Sequence, residues 1–403
     1  MTSRKRTAEA FRILTLNSIS SVGLKRLPAG LYVCGGQMHD PDAILVRSHD
    51  MHAMDITASV KTIGRAGAGV NNIPVEKMSR RGVPVFNAPG ANANAVKELV
   101  IAGVLLAARN LVPALRFTSG LEGDDRTLHK LVEEGKKEFS GFELPRHTVG
   151  VVGLGKVGSL VADAAIKLGM NVLGYDPHIT VDAAWSLPSQ VKKAHSVEEV
   201  LRASDFVTLH VPLLDVTRKM INHERVKLMK NGAILLNFAR DGIVDEDAVL
   251  EGLASKRIRY YVSDFPTKKL QGHPHVVALP HLGASTREAE DNSAVMVIDQ
   301  VRDFLENGNI VNAVNFPDVV MAREAPYRVG IANANVPNMV GQISTAMAKS
   351  GLNIHNMLNK SKGEMAYTLV DVDSVVPVKV CEQISSIKGV LSFRYLPQNA
   401  VEH

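Results

Sequence analysis

The chain has 403 residues, of which 45% are hydrophobic and 22% charged, enough for two or three domains that each bury a core. That balance excludes collagen-like, disordered and low-complexity chains. A net charge of +5, from 46 basic and 41 acidic residues, suits anionic small molecules and excludes a nucleic-acid footprint. The basic pairs Lys136-Lys137, Lys192-Lys193 and Lys268-Lys269 carry no interleaved aromatics and read as solvated faces. The longest apolar run, Leu99 to Ala108, is about half of the roughly 20 residues a spanning helix needs, so no membrane partner is expected. No signal peptide is evident. Two cysteines far apart, Cys34 and Cys381, argue against a disulfide framework or a thiolate metal site, and for a cytoplasmic location.

From Phe11 to Asn110, short β-rich runs alternate with helical ones. Ala43–Val46, Val60–Gly64 and Val83–Phe86 read as strands, and Ala95 to Leu111 as a long apolar helix. Strands alternating with helices imply parallel βαβ units. The same alternation resumes at His147–Gly153, with later strands at Asn171–Tyr175, Phe206–His210, Ala233–Asn237 and Val276–Leu279. Helices fall at Ser159–Leu168 and Asp245–Ser255, the latter opening with negative charge where the helix dipole favours it. Asn312–Pro326 reads as a linker. Beyond it lies a short α+β unit, with strands at Arg328–Ala332, Glu364–Val372 and Leu391–Tyr395 and helices at Pro337–Ser350 and Val376–Ser386.

Gly153-Leu-Gly155-Lys-Val-Gly158 follows an apolar strand and opens a helix, the context a dinucleotide-binding turn requires. Gly153 would make the tight turn, Gly155 would let the backbone approach a pyrophosphate, and Gly158 would let helix and strand pack closely. The helix N-terminus supplies free N–H groups to the anion. Eighteen residues past Gly158 comes Asp176, a carboxylate that would accept hydrogen bonds from a ribose 2′-hydroxyl and repel a 2′-phosphate. The cofactor expected is therefore NAD.

Two further strands end in chemically capable residues, Arg240 and His281. Hydride transfer from a 2-hydroxy acid needs a cation to hold the carboxylate and a group to take the hydroxyl proton. Arginine grips a carboxylate with two prongs, and histidine titrates near neutral pH.

These stretches occur in order with Arg47-Ser48, Gly67–Asn72, Asn87–Gly90 with Val96–Leu99, Asn237–Arg240, Pro280–Thr286 and Val314–Pro317. Together they make the whole chain resemble the D-isomer-specific 2-hydroxyacid dehydrogenases with a C-terminal ACT domain. The resemblance implies two doubly wound, Rossmann-like α/β domains. Residues 1–106 and 285–318 would form a discontinuous substrate-binding domain, 107–284 the NAD-binding domain and 326–403 the regulatory ACT domain. It implies that Arg240 binds the substrate carboxylate and that His281 is the general acid/base. Arg47, Ser48, Gly69 and Asn71 would line the substrate side. Gly153, Gly155, Lys156, Val157, Gly158, Asp176, Phe238, Ala239, Asp264, Gly283 and Ala284 would contact NAD. The activity implied is NAD-linked oxidation of a phosphorylated 2-hydroxy acid, 3-phosphoglycerate, at the entry to serine synthesis. The apolar faces of the cross-over helices need a partner, so a homo-oligomer (dimer or tetramer) is expected. Lys136, Lys137 and Arg65 are candidates for the substrate phosphate.

The resemblance breaks at one position. The family pairs its histidine with a glutamate, and here Lys268 stands in that place, with no Asp or Glu between Asp264 and His281. A carboxylate would orient the ring and raise its pKa, whereas a lysine would lower it. Asp264 or Asp241 could stand in, the histidine could work unassisted, or catalysis could be lost. The alternatives are therefore a sister 2-hydroxyacid dehydrogenase or a catalytically weak NAD- or serine-sensing protein. In the C-terminal unit, Asn333, Asn335 and Asn353 fall on positions that contact serine in serine-regulated relatives. Asn338 stands there in place of a glycine, a position that would need a positive φ or an altered turn.

Overall fold

The computed structural model describes residues 10–397. They fall into two compact units, one running to Ala91 and resuming at Glu290, the other Asn92–Ala289. In the first unit, β1 (Phe11–Leu16), β2 (Tyr32–Gly35), β3 (Ala43–Val46), β4 (Thr62–Arg65) and β5 (Val85–Phe86) form a parallel sheet in the order β2-β1-β3-β4-β5. Every residue of β3 is buried, as expected of a parallel strand covered on both faces. The helix Arg287–Asn307 lays Ala294, Val297, Ile298, Val301 and Phe304 into this core, so a stretch remote in sequence completes the first unit. Residues 312–326 have no helix or strand of their own. They are not a loose tether, because Ala313, Phe316 and Val319 are buried in the same core.

The second unit holds seven parallel strands: β6 (Thr148–Val152), β7 (Asn171–Tyr175), β8 (Val191–Lys193), β9 (Phe206–Leu209), β10 (Ala233–Asn237), β11 (Ile258–Ser263) and β12 (Val276–Ala278). Their order is β12-β11-β10-β9-β6-β7-β8. The chain reverses direction across the sheet between β6 and β9, which makes their carboxyl ends the expected ligand crevice of a doubly wound sheet. The sequence pattern left β11 out. Its Ile-Arg-Tyr-Tyr run follows directly on Lys256-Arg257, yet four of its last residues are buried between β10 and β12. Asp245 caps the helix Glu246–Ala254 by accepting from the Asp247 N–H.

The C-terminal part of the first unit is an antiparallel sheet of β13 (Tyr327–Ala334), β14 (Ile354–Lys362), β15 (Met365–Val372) and β16 (Val390–Pro397) in the order β14-β15-β13-β16. With the helices Met339–Lys349 and Val378–Ser385 it forms a β-α-β-β-α-β unit, compatible with an ACT-like domain. The polar strand β14 has no apolar alternation; pairing with β15 makes it a strand. One face of the sheet packs on the two helices through Val329, Ile331, Val370 and Val372. The other face sets Ala332, Tyr367 and Leu369 into the core built around the helix Arg287–Asn307. Two arginines, Arg328 buried and Arg394 half-buried, tie this seam. Arg394 lies 4.4 Å over the Phe304 ring and donates to the Phe304 and Leu305 carbonyls. Arg328 pairs with Asp371, both with fully buried side chains, and donates to the carbonyls of Asn307, Met321 and Ala322.

Candidate active site

At the end of β6, Gly153 has φ +93, and a Cβ there would sit 2.6 Å from the His210 carbonyl oxygen. A Cβ on Gly158 would fall 1.9 Å from the Gly153 oxygen, so the helix Lys156–Lys167 can approach the turn only without a side chain. Gly155, at the N-cap of that helix, has open space where its Cβ would be, which leaves a cradle for a bulky anion. Lys156 and Val157 form the first turn of the helix, with Lys156 exposed. Asp176 follows β7. One of its oxygens accepts from the Leu154 N–H of the glycine turn at 2.9 Å, the other from the His178 N–H at 2.9 Å. A pocket of about 480 Å³ opens beside it, lined by Leu154, Tyr175, Asp176, Ile179, Leu187 and His195 among others. The residues present therefore fit a dinucleotide with a free ribose 2′-hydroxyl.

Sequence reasoning passed over His210. It directly follows β9 at the switch point, its carbonyl walls the Gly153 turn, and its Nε2 shares a 2.9 Å hydrogen bond with the Thr208 hydroxyl. Burial pushes its imidazole down to about 3. The place of the strand end in the sheet was the signal that would have found it.

After β10 the buried Asn237 turns the chain with its own amide: Oδ1 accepts from the Ala239 N–H, and Nδ2 donates to the Arg240 carbonyl. Phe238 and Ala239 are buried, and the Arg240 side chain emerges exposed beyond them. After β12, His281 has φ +56, its side chain is exposed, and its ring meets Phe265 edge-on at 5.1 Å. Asp264, at the end of β11, is 2% exposed. It donates its N–H to the Asn237 carbonyl, accepts the His281 N–H on its own carbonyl, and takes the N–H groups of Leu282 and Gly283 on its two carboxylate oxygens at 2.7 and 2.8 Å. Burial raises its pKa, and the two amide bonds, with a smaller contribution from the His281 charge, partly oppose that rise. Ala284 follows in the same loop, partly buried. Adjacent strand ends thus bring Arg240, Asp264 and the His281 loop together on one edge of one sheet.

No carboxylate hydrogen-bonds the His281 ring among the described residues. Lys268 is exposed and unpaired there, while its neighbour Lys269 meets Asp247 at 2.6 Å. Asp241 accepts from the Gly242 N–H next to it.

In the first unit, Arg47 and Ser48 follow β3, and Gly69 and Asn71 lie in the loop after β4. The Arg47 guanidinium pairs with Glu290 at 2.7 Å. Asn17 accepts from the N–H groups of Ser48 and His49, and Asn72 donates to the His49 carbonyl, so two asparagines fix this loop. Arg65 donates to the Arg47 carbonyl, Lys136 pairs with Glu133, and Lys137 is exposed. In the C-terminal unit, Asn333 is 1% exposed, its Nδ2 donating to the Ala334 carbonyl and its Oδ1 buried without a partner. Asn335 donates to the Gly363 carbonyl, Asn353 is exposed, and Asn338 has φ +64.

A seven-stranded doubly wound sheet with this glycine turn defines a nicotinamide-dinucleotide-binding protein. Residues 108–283 match the D-isomer specific 2-hydroxyacid dehydrogenase, NAD binding domain family. It is 35% identical over 348 residues to a D-3-phosphoglycerate dehydrogenase of Methanocaldococcus jannaschii, covering 83% of this chain and 62% of that protein. The chain therefore spans about three-fifths of the length of that relative. A D-3-phosphoglycerate dehydrogenase of Escherichia coli (strain K12) is 29% identical over 375 residues, 89% of this chain and 88% of the relative. Among solved structures, NAD+-bound 3-phosphoglycerate dehydrogenase of Entamoeba histolytica aligns with a TM-score of 0.58 at 26% identity, over 76% of this chain and 99% of that one.

Proposed function

We propose that this protein oxidises 3-phospho-D-glycerate to 3-phosphohydroxypyruvate with NAD, the step that opens L-serine synthesis. The observation that carries this reading is the shared sheet edge, where the cradle at Gly153–Gly158 with Asp176 lies on the same edge as Arg240 and His281. Relatives named for this activity support the substrate. The Gly153–Gly158 turn and Asp176 would hold NAD, which would supply the hydride acceptor for this oxidation. Arg240 holds the substrate carboxylate with its two-pronged guanidinium, and His281 takes the hydroxyl proton. Arg47, Ser48, Gly69 and Asn71 are the further candidates for substrate contacts, on the resemblance alone. Gly155 gives the pyrophosphate its approach, and Asp176 holds the ribose.

The C-terminal unit takes L-serine through Asn333, Asn335 and Asn353. The buried, unpaired Oδ1 of Asn333 supports this, as an acceptor suited to an ammonium group. The protein works as a homo-oligomer. Leu111 and Leu115, exposed on a helix that buries none of its residues, support a covering partner. Sedimentation as a 43.6 kDa monomer would overturn that assignment. Two free cysteines are consistent with a cytoplasmic location.

A second reading rests on Lys268, which leaves His281 without a carboxylate partner: a catalytically weak NAD- or serine-sensing protein. NADH oxidation with 3-phosphohydroxypyruvate, scanned from about pH 5.5 to 9, separates the two. Turnover supports the dehydrogenase, with an acid-shifted optimum expected of an unassisted histidine. NADH binding without turnover on any 2-keto acid supports the sensor.

A further inference from the structure

We infer that Asp264 is a positioning residue that holds the His281 loop in its left-handed turn, and that it is not the acid partner of the His281 imidazole. The first part follows from where its hydrogen bonds go. Its main chain links the end of β10, through the Asn237 carbonyl, to the His281 N–H at 3.1 Å. Its two carboxylate oxygens are each aimed at a different amide of the loop, Leu282 at 2.7 Å and Gly283 at 2.8 Å. One buried residue thus fixes three consecutive loop amides, starting with the residue that carries the imidazole.

His281 needs such support. It is not a glycine, and φ +56 is a conformation that side chains rarely adopt unless their surroundings impose it. A carboxylate that accepts two amide hydrogens in a buried setting makes stronger bonds than neutral acceptors do. The second part follows from the same geometry. The ring of His281 contacts Phe265 and makes no hydrogen bond to Asp264. Asp264 therefore acts on proton transfer chiefly through the backbone that aims the imidazole; its charge is felt by His281 across space but no hydrogen bond joins them, and the gap left by Lys268 stays open. The closeness of the fit gives a second handle, because a Cβ on Gly283 would sit 3.0 Å from the same Asp264 oxygen that its N–H now meets.

The inference rests on the dehydrogenase reading for its kinetic arm alone, so the test has two arms. Asp264→Asn replaces one acceptor by an amide N–H2 that confronts a loop N–H. Gly283→Ala leaves both the carboxylate and the imidazole in place and presses on the same contact. In both variants kcat for 3-phosphohydroxypyruvate reduction should fall about 10- to 100-fold, as expected of a misaimed catalytic group. The acidic limb of the kcat/KM profile should stay within about half a pH unit of the parent. Amide hydrogen exchange across residues 279–286 should quicken about tenfold or more in both. A limb displaced by more than about one unit in Asp264→Asn but not in Gly283→Ala would make Asp264 the charge partner of His281 and overturn the inference. Unchanged exchange at 281–283 in Asp264→Asn would overturn it as well. If the parent protein turns over no 2-keto acid, the dehydrogenase reading fails, and the exchange arm still decides whether Asp264 holds the loop.

Discussion

Gly153 and His281 both turn left-handed at the carboxyl edge of the seven-stranded sheet, at φ +93 and +56. The first turn is made by leaving atoms out. Without a side chain, Gly153 adopts its conformation at no steric cost and fits against the His210 carbonyl, while Gly158 lets the helix close over it. The second is made by adding bonds, because a residue that must carry an imidazole cannot be a glycine. Asp264, 17 residues earlier in the chain, supplies the constraint. A turn that only has to cradle an anion can be written locally, whereas a turn that has to aim a side chain must borrow its rigidity from elsewhere in the fold.

The harshest way to break the glycine turn is Gly158→Ala. Its methyl would meet the Gly153 carbonyl at 1.9 Å, and we expect a loss of about 3 kcal/mol in urea unfolding. Next comes the wall of that turn. An unfolded imidazole binds a proton near pH 6.5, but His210 in the fold does so only near 3. The unfolded state therefore gains protons first, and stability falls as the pH drops through that window. By pH 5 the loss should reach about 2 kcal/mol, and denaturation of His210→Gln should show a correspondingly flatter pH dependence.

Gly155→Ala sharpens the contrast from the opposite side. Nothing lies within 4 Å of the added methyl, so unfolding should stay within about 0.5 kcal/mol of the parent. NADH affinity, read by fluorescence titration, should nonetheless fall about tenfold, because the methyl occupies the cradle itself. Parent-like affinity would show that the pyrophosphate lies elsewhere. The smallest effect belongs to Lys268→Glu. Restoring a carboxylate near an exposed imidazole should raise the acidic limb of the pH profile by about half a unit, and no shift would make position 268 irrelevant to proton transfer.

Residues that act through local spacing were legible. The glycine turn, Asp176 and the strand ends carrying Arg240 and His281 follow from short patterns and periodicity. Strand β11 was not, since its arginine and two tyrosines mask an apolar run that its neighbours bury. Strand β14 is mostly polar, its few apolar residues without alternation, and is ordered by its pairing with β15. Asn17 and Asn72, which fix the Arg47–Ser48 loop, were equally hidden, because each reaches 23 to 32 residues along the chain to its partners. Long-range side-chain bonds to backbone leave no periodicity to read.

The Arg328–Asp371 pair bears on how the molecule could be shortened. A chain clipped before Tyr327 would lose not only a candidate effector module but the inner wall of the first unit. Phe304 and Phe316 would lose cover they share with Tyr367 and Leu369, and three backbone carbonyls would lose the guanidinium that satisfies them. In this chain the regulatory-looking module is masonry: a descendant that stopped responding to any effector would still have to keep building it.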